Sequence, residues 1–447
     1  MDEQKAEAVL TALIDKSKAH GAEAVDAVLF NSVSHGISWR LGKLEDVERS
    51  EGVDLGLRII VGKKSASVST NDVSTASLDA LAARCADMAK AAPEDPFVGL
   101  APKERLATPP YPDLDLGDFS DPGAEELQRR AAECEEAALS VKGVVNSSGA
   151  GASYGEGRKW LATSDGFFGE SGGSSHSVSV SVLAEDENGM ERDYDYDSKT
   201  HADDMREIKD IGLEAGRRAV SRLSPEKVKS QKAPVFFDKR LSASLLGHLS
   251  GAVNGGAIAR GISFLKDKLG ENVFAKGINI VDNPFVKRGQ GSRPFDGEGV
   301  RPEPFNLIDD GVLTTWILNS AQARQLNLET NGRATRGAGG APGSSTTNLH
   351  LEAGSKSPEE LMSEIKAGLL VTDMFGPQVN ANTGDYSVGC SGVWIDGGAL
   401  AGPVSEITIA GNILDMYRAL IPANDLEFRG STNAPTVFVG EMAIAGN

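Results

Sequence analysis

The feature that most constrains this chain is a pair of glycine-rich, nearly uncharged segments near its C-terminal end, residues 384–394 and 403–412. Between them they carry two charged side chains, Asp385 and Glu406, whereas an exposed loop would normally carry more. Glycine inside a strand marks a tight turn or a place where another backbone approaches closely. The pattern therefore predicts tightly packed strands here and not a surface loop.

The first half of the chain alternates between helical and strand-like periodicities, with a proline-rich connector at 93–122. This alternation predicts an N-terminal α+β domain, sandwich-like, over residues 1–225. Predicted helices lie at 4–19, 78–91, 124–139 and 203–223, and predicted strands at 24–30, 36–40, 55–61, 66–69 and within 144–197.

One strand of this domain alternates acidic and aromatic side chains. Asp193, Asp195 and Asp197 occupy one set of positions, and Tyr194 and Tyr196 the other. Because successive side chains of a strand point to opposite faces, we expect the aspartates to face water and the tyrosines to face the core.

Composition changes after residue 225, where short strands and glycine turns replace long helices. This predicts a C-terminal domain over 226–447 that is mostly β, with mixed sheets in a barrel-like arrangement. Helices are expected at 241–258, 319–326 and 358–370.

The charge balance excludes several classes of partner. Lys and Arg total 45 against 64 Asp and Glu, a net charge of −19, which has the wrong sign for binding nucleic acid or an anionic membrane surface. The sequence has neither a secretory signal pattern nor an apolar run of about 18 residues. Three widely spaced cysteines without a CxxC motif indicate a reduced, cytoplasmic protein.

The residues that usually carry catalysis are sparse. No two of the six histidines lie closer than fifteen residues, so a metal-binding pair one helical turn apart is absent. Cys390 is the best thiol candidate, but no basic residue or histidine beside it in sequence would favour a thiolate, which predicts a packing role. The glycine-rich segment 337–343 lacks the Gly-Lys-Ser/Thr ending of a phosphate-binding loop; we expect a mobile or peptide-contacting loop.

Several motifs, in order, closely resemble the TldD/PmbA family, which has also been described as a family of DNA gyrase modulators. The resemblance covers nearly the whole chain, is firmest from about residue 235 onward, and lies on the PmbA/TldE side of the family. Besides the two C-terminal segments, it rests on residues 255–258, 263–265, 296–300 and 331–336.

The resemblance implies a zinc-free subunit of a two-subunit metallopeptidase acting on unfolded peptides. In the TldD-type sister, a helix carries His-Glu-x-x-x-His and a later cysteine completes the zinc site. Those positions fall here on Leu246, Gly247, Gly251 and, at or near it, Arg429. Leucine and glycine can neither bind zinc nor move a proton, so we expect neither metal nor catalytic residues in this chain, with zinc in the partner.

The same resemblance suggests which residues shape the peptide channel or the subunit contact. These candidates are Asp385, Tyr386, Ser387, Asn412, Gly339 and Gly340. Packing at the subunit contact is an equally weighted alternative for each. Pairing of two copies of this chain also stays open, since a surface built for a related sister could pair with itself.

Two other functions compete with this hypothesis. The chain could act without the sister as a regulatory protein of the gyrase-modulator type, through protein contacts because of its acidic charge. It could also be an independent hydrolase using Cys390, which would require activity to disappear in Cys390→Ala.

Overall fold

The computed structural model describes residues 1–376 and 378–446. In the N-terminal half, six strands form one curled antiparallel sheet in the order β3-β2-β1-β4-β5-β6. The elements are α1 (Glu3–Ala19), β1 (Ala24–Arg40), β2 (Lys43–Val61), β3 (Lys64–Thr70), α2 (Thr75–Ala91), α3 (Gly123–Leu139), β4 (Val144–Thr163), β5 (Phe168–Asp186), β6 (Gly189–Lys199) and α4 (Ile208–Ser221).

All four helices cover the same face of this sheet. The apolar stripe of α1, including Leu10 and Leu13, packs with α2 on one end of the sheet around Trp160. Helices α3 and α4 cover the other end, around Tyr154 and Val180. Burying an apolar helix stripe on one sheet face is the stable two-layer arrangement. The four helices therefore leave the opposite face of the sheet uncovered.

That opposite face is lined mainly by serine and glycine. The strand registers align Ser34 with Gly155, and Gly155 with Ser175. Its residues include Ser32, Ser34, Gly36 and Ser38 on β1, Gly151, Ser153, Gly155 and Gly157 on β4, and Gly173, Ser175, Ser177 and Ser179 on β5. Small polar side chains at alternate positions leave a shallow concave surface.

The C-terminal half contains short strands and short helices. Its elements are β7 (Gln231–Phe237), α5 (Lys239–Ala252), α6 (Gly255–Ala259), β8 (Ile280–Asp282), β9 (Phe305–Asp309), β10 (Val312–Leu313), α7 (Ser320–Gln325), β11 (Ala334–Thr335), β12 (Gly343–Ser344), β13 (Leu349–Leu351), α8 (Pro358–Met362), β14 (Ala367–Phe375), β15 (Asp385–Asp396), β16 (Ala399–Asn412), α9 (Ile413–Ala419), β17 (Ile421–Pro422), β18 (Thr432–Asn433) and β19 (Val437–Ala445).

Five of these strands close into a barrel. The sheet runs β16-β15-β14-β7-β19, and an additional pairing of β16 with β19 joins its two ends. A second sheet, β10-β9-β8-β13-β18, lies beside it. The α+β class with a barrel-like second half is confirmed, and residues 384–394 and 403–412 fall on the paired strands β15 and β16.

Glycine is required where β14 and β15 run together. A Cβ at Gly392 would overlap the carbonyl group of Leu370 on the neighbouring strand. The close backbone approach inferred from this glycine-rich segment is therefore present.

Several element predictions were wrong in extent. The helix predicted at 203–223 is α4, which begins only at Ile208, and the strand predicted at 55–61 is the end of β2. The predicted helix 358–370 ends at Met362, and Leu369 pairs instead with Val235 of β7, because a parallel partner far away in sequence overrides local helix preference. The predicted helix 241–258 is broken after Ala252, where Asn254 caps the separate α6. The strands predicted at 24–30 and 36–40 are one strand, since both lie in an unbroken antiparallel pairing with β2 up to a bulge at Ser38.

The predicted domain boundary at 225/226 stays a prediction. In the part of the chain that the structure describes, no helix is long and apolar enough to cross a membrane.

Candidate functional site

Helix α5 presents one face to the barrel and the other to open space. Asp238 caps its N-terminus by accepting the backbone N–H of Arg240 at 2.9 Å. Leu245, Leu246 and Leu249 are buried in the core of the C-terminal half. On the other side Gly247 and Gly251 are exposed, and a Cβ at either would meet no atom within 4 Å. We call this exposed surface the α5 face.

Two loops flank the α5 face. Nε2 of His248 lies 2.7 Å from Oε1 of Gln378, and its ring meets that of Tyr386 edge-on. On the other side, the hydroxyls of Ser250 and Thr346 lie 3.4 Å apart. Polar groups of the C-terminal half therefore frame a helix surface that carries no side chain at its centre.

The N-terminal end of the α5 face meets a buried ionic cluster on β6. The prediction that the aspartates of this strand face water and its tyrosines face the core was wrong. Asp193, Asp195 and Asp197 are buried, whereas Tyr194 and Tyr196 are 47% and 44% exposed. The aspartates lie on the helix-covered side of the sheet because basic side chains from in and around α4, from α5 and from the loop before β18 neutralise them there. These ion pairs join Asp193 to Arg222 and Arg240, and Asp195 to Arg206, Arg218 and Arg429.

Arg429 lies at or near the position that the family resemblance assigns to the sister's cysteine ligand. Its guanidinium lies 3.6 Å from the Asp195 carboxylate and donates from Nε to Glu427 at 3.0 Å. Arg240, at the start of α5, stacks over the ring of Tyr194 at 4.8 Å. These cations link α5 to the edge of the N-terminal sheet.

The predicted channel residues do not form one surface. Asp385 and Ser387 are exposed at the start of β15, and Ser387 donates its backbone N–H to Gln378, which connects it to the α5 face. Gly339 and Gly340 are exposed in a separate loop that runs over β2 and β3.

Two of the predicted channel residues have structural roles. Tyr386 is 1% exposed and packs inside the barrel against Phe237, so its side chain is a core residue and does not reach a channel. Asn412 accepts the backbone N–H of Leu414 at 3.0 Å and thereby caps α9.

Cys390 lies in the same barrel interior and is fully buried. Burial raises the pKa of its thiol to about 12. A thiol in that environment is protonated at neutral pH and unreactive, which agrees with the packing role predicted for it.

A buried acidic pair lies at the seam between the two halves, and sequence reasoning did not single it out as a site. Asp296 accepts backbone N–H groups of Glu298, Val300 and Ala334 at 2.8 to 2.9 Å. Glu298 accepts the backbone N–H of Ser320 at 2.8 Å. Burial, followed by the nearby Asp296 carboxylate, raises the pKa of Glu298 to about 7. The sequence signal for this pair is the motif at 296–300, one of those on which the family resemblance rests.

We expect Glu298→Gln to stabilise the protein in a pH-dependent manner. Its pKa is raised above the unfolded value, so the wild type loses stability as pH rises from about 4.5 to 7 and loses no more above that. Glutamine does not titrate, so the variant should gain roughly 3 kcal/mol by pH 8. Urea unfolding at several pH values measures this, with the exposed Glu94→Gln as control. Parallel pH profiles for wild type and Glu298→Gln would contradict the assignment.

Models of three domains described as PmbA/TldA metallopeptidase match this chain: domain 1 at residues 25–89, the central domain at 117–223 and the C-terminal domain at 230–446. The chain is 37% identical to the metalloprotease PmbA of Escherichia coli O157:H7 over 98% of this chain and 96% of that one. It is 31% identical to a metalloprotease PmbA homolog of Haemophilus influenzae over 100% and 97% of the two chains.

Solved structures share the whole fold. A Bacteroides thetaiotaomicron protein described as a candidate modulator of DNA gyrase superposes with a TM-score of 0.90 at 26% identity, over the full length of both chains. TldE from Thermococcus kodakarensis superposes with a TM-score of 0.86 at 18% identity, over 98% of this chain and 100% of that one.

Proposed function

This chain belongs to the PmbA/TldD family of metallopeptidases, and from that premise we propose that it is the zinc-free subunit of a two-chain peptidase. Its partner is a TldD-type chain that binds zinc, and the pair cleaves unfolded peptides. The observation that carries this proposal is the α5 face: the helix carries leucine and glycine at the positions that the family resemblance assigns to the sister's zinc motif.

The residues at the sister's zinc positions cannot coordinate zinc. Leu246 lies in the hydrophobic core, and Gly247 and Gly251 have no side chain to offer. Arg429 is a cation held by Asp195 and Glu427, and a cation disfavours a neighbouring metal ion. Zinc needs three or four nitrogen, sulfur or oxygen ligands.

The remaining donor groups do not supply a site elsewhere among residues 1–376 and 378–446. No group of three or more His, Cys, Asp or Glu side chains there is arranged to hold a metal ion. His248, the imidazole on the α5 face, is already hydrogen-bonded to Gln378. These observations support placing the metal in the partner.

In this proposal the α5 face helps to enclose the peptide chamber. Because Gly247 and Gly251 leave it flat, an extended peptide can pass close to the helix. Ser387, linked to this face through Gln378, is our candidate for a contact with the peptide, and Asp385 is exposed beside it.

We expect Gly251→Trp to block the chamber without unfolding this chain. A Cβ at position 251 meets open space, so the indole would project from the helix into the path of the peptide. Peptide cleavage by the mixture of this chain with its sister should fall at least about tenfold, which corresponds to ~1.4 kcal/mol in the barrier. Arg84→Trp, on the exposed surface of α2, is the control and should leave cleavage unchanged.

Unfolding curves of both tryptophan variants should match the wild type. Full cleavage activity with Gly251→Trp would place the peptide path elsewhere and remove the α5 face from the chamber.

A regulatory role at DNA gyrase is the second candidate, motivated by the description of the Bacteroides relative. Its test is binding of this chain to purified gyrase in the absence of the sister. Tight binding there, together with no gain of cleavage on mixing with the sister, would favour the regulatory function over the peptidase subunit.

A further inference from the structure

A cavity of about 490 Å³ lies between the Ser/Gly face of the N-terminal sheet and residues 289–293 of the C-terminal half. Lys159 of β4 enters it from the sheet, at a position flanked by Phe30 on β1 and Ser171 on β5. Arg293 enters it from the other side. Arg158 also lines the cavity, but its guanidinium is paired with Glu170 at 2.7 Å. Lys159 and Arg293 are the other two cations of the lining, one from each half of the chain.

Neither cation has a carboxylate partner among the residues that the structure describes. Lys159 makes no hydrogen bond or ion pair there. Arg293 donates to the backbone carbonyls of Ala334, Ser345 and Thr346 at 3.0 to 3.3 Å, and its buried Nε has no acceptor. Backbone carbonyls fix the guanidinium in place but do not cancel its charge.

The carboxylates nearby are engaged elsewhere. Asp26 already serves two guanidinium groups. The Asp296 carboxylate attracts both Lys159 and Arg293, but it contacts neither: three backbone N–H groups bind it, and burial raises its pKa, which weakens its negative charge. Asp54 lines the cavity but is exposed, and Phe30 separates it from Lys159 in the sheet, which places their strands about 10 Å apart. In a chain of net charge −19, this cavity is locally positive.

Uncompensated charge in a partly buried site is costly. Burial, followed by the charge of Arg293, lowers the pKa of Lys159 to about 8. Lys159 is therefore still mostly protonated at pH 7, and an anion placed between the two cations would relieve the repulsion.

We propose that this cavity binds a carboxylate and, on the proposed peptidase function, the C-terminal carboxylate of a short peptide. Its volume falls within the usual range for a small-ligand site. Ser32, Ser171 and Gln290 place polar side chains along it, and these can hydrogen-bond peptide amide groups. Phe30 lies in the lining as well and offers an apolar contact for a peptide side chain.

Calorimetric titration of the full chain at pH 7 tests this. N-acetyl-trialanine with a free C-terminal carboxylate should bind at least about tenfold more tightly than the same peptide with a C-terminal amide, because a charge-assisted hydrogen bond is lost in the amide. Lys159→Met should reduce binding of the free acid at least about tenfold, whereas Lys366→Met, on the exposed surface, should not.

A second readout depends on protonation. Binding of the acid at pH 8 should take up protons, seen as a binding enthalpy that changes with the buffer, and this uptake should vanish in Lys159→Met. Equal affinity for acid and amide, tighter binding of inorganic phosphate than of the peptide acid, or no binding by wild type would each overturn the carboxylate site. None of these outcomes changes the zinc content of the chain or cleavage on mixing with the sister, which test the proposed function separately.

Discussion

Asp26→Asn should destabilise the protein by roughly 3–5 kcal/mol at pH 7, the range for breaking a buried ion pair from one side. Asp26 is buried at the seam, where Arg58 donates to one carboxylate oxygen and Arg336 to the other, the latter at 2.9 Å. Burial raises the pKa of Asp26, but the two guanidinium charges outweigh it and hold the pKa below its usual value. Asparagine would leave two buried cations without a counter-charge.

The effect should extend beyond the N-terminal sheet. Arg336 also donates to the carbonyls of Gly337 and Gly340, so the same guanidinium holds the glycine-rich loop against the sheet. Urea unfolding at pH 7 measures the loss, and Asp79→Asn, which removes an exposed ion pair with Lys16, should cost no more than about 1 kcal/mol. A similarly small loss in Asp26→Asn would mean that the triad of Asp26, Arg58 and Arg336 does not hold the two halves together.

The largest effect on activity should come from adding the sister chain. This chain alone should cleave no peptide, because hydrolysis by a zinc peptidase needs a metal-activated water and a general base. The α5 face offers glycine at two of the positions concerned and a core leucine at the third. Mixing with the TldD-type chain should produce cleavage faster by several orders of magnitude.

That comparison is made with an unstructured peptide on each chain alone and on the equimolar mixture. A mixture stripped with a chelator should be inactive and should recover when zinc is returned. Cleavage by this chain alone at the rate of the mixture would refute its role as a non-catalytic subunit.

Local sequence patterns predicted much of the fold. The stripe containing Leu10 and Leu13 predicted α1, and the helical periodicity of residues 124–139 predicted α3. The glycine-rich stretch around Gly392 predicted closely packed strands because only glycine fits against Leu370. In each case the determining contacts are local or are imposed by the absence of a side chain.

Predictions failed where the deciding partner is remote in sequence. The alternation around Asp195 was interpreted correctly as two faces, but their assignment was reversed, since Arg218 and Arg429 neutralise the carboxylate from other elements. The helix predicted over residues 367–370 is wrong because these residues pair with β7, which lies more than 130 residues earlier in the chain. No local pattern indicates so remote a partner.

The candidate site was predictable only in part. The loss of ligand-capable residues at Gly247 and Gly251 could be inferred from the family motif. The burial of Tyr386 depends on closure of the barrel between strands that are remote in sequence. The placement of Lys159 and Arg293 in one cavity depends on how the two halves of the chain meet. No local sequence pattern predicts these tertiary contacts.

Metal analysis of this chain, purified alone from zinc-supplemented cells, tests the central claim most directly. The account predicts no stoichiometric zinc in this chain and one zinc per chain in the sister prepared in the same way. One bound zinc per molecule of this chain, lost on replacement of His248, would contradict the account and place a metal site on the α5 face itself.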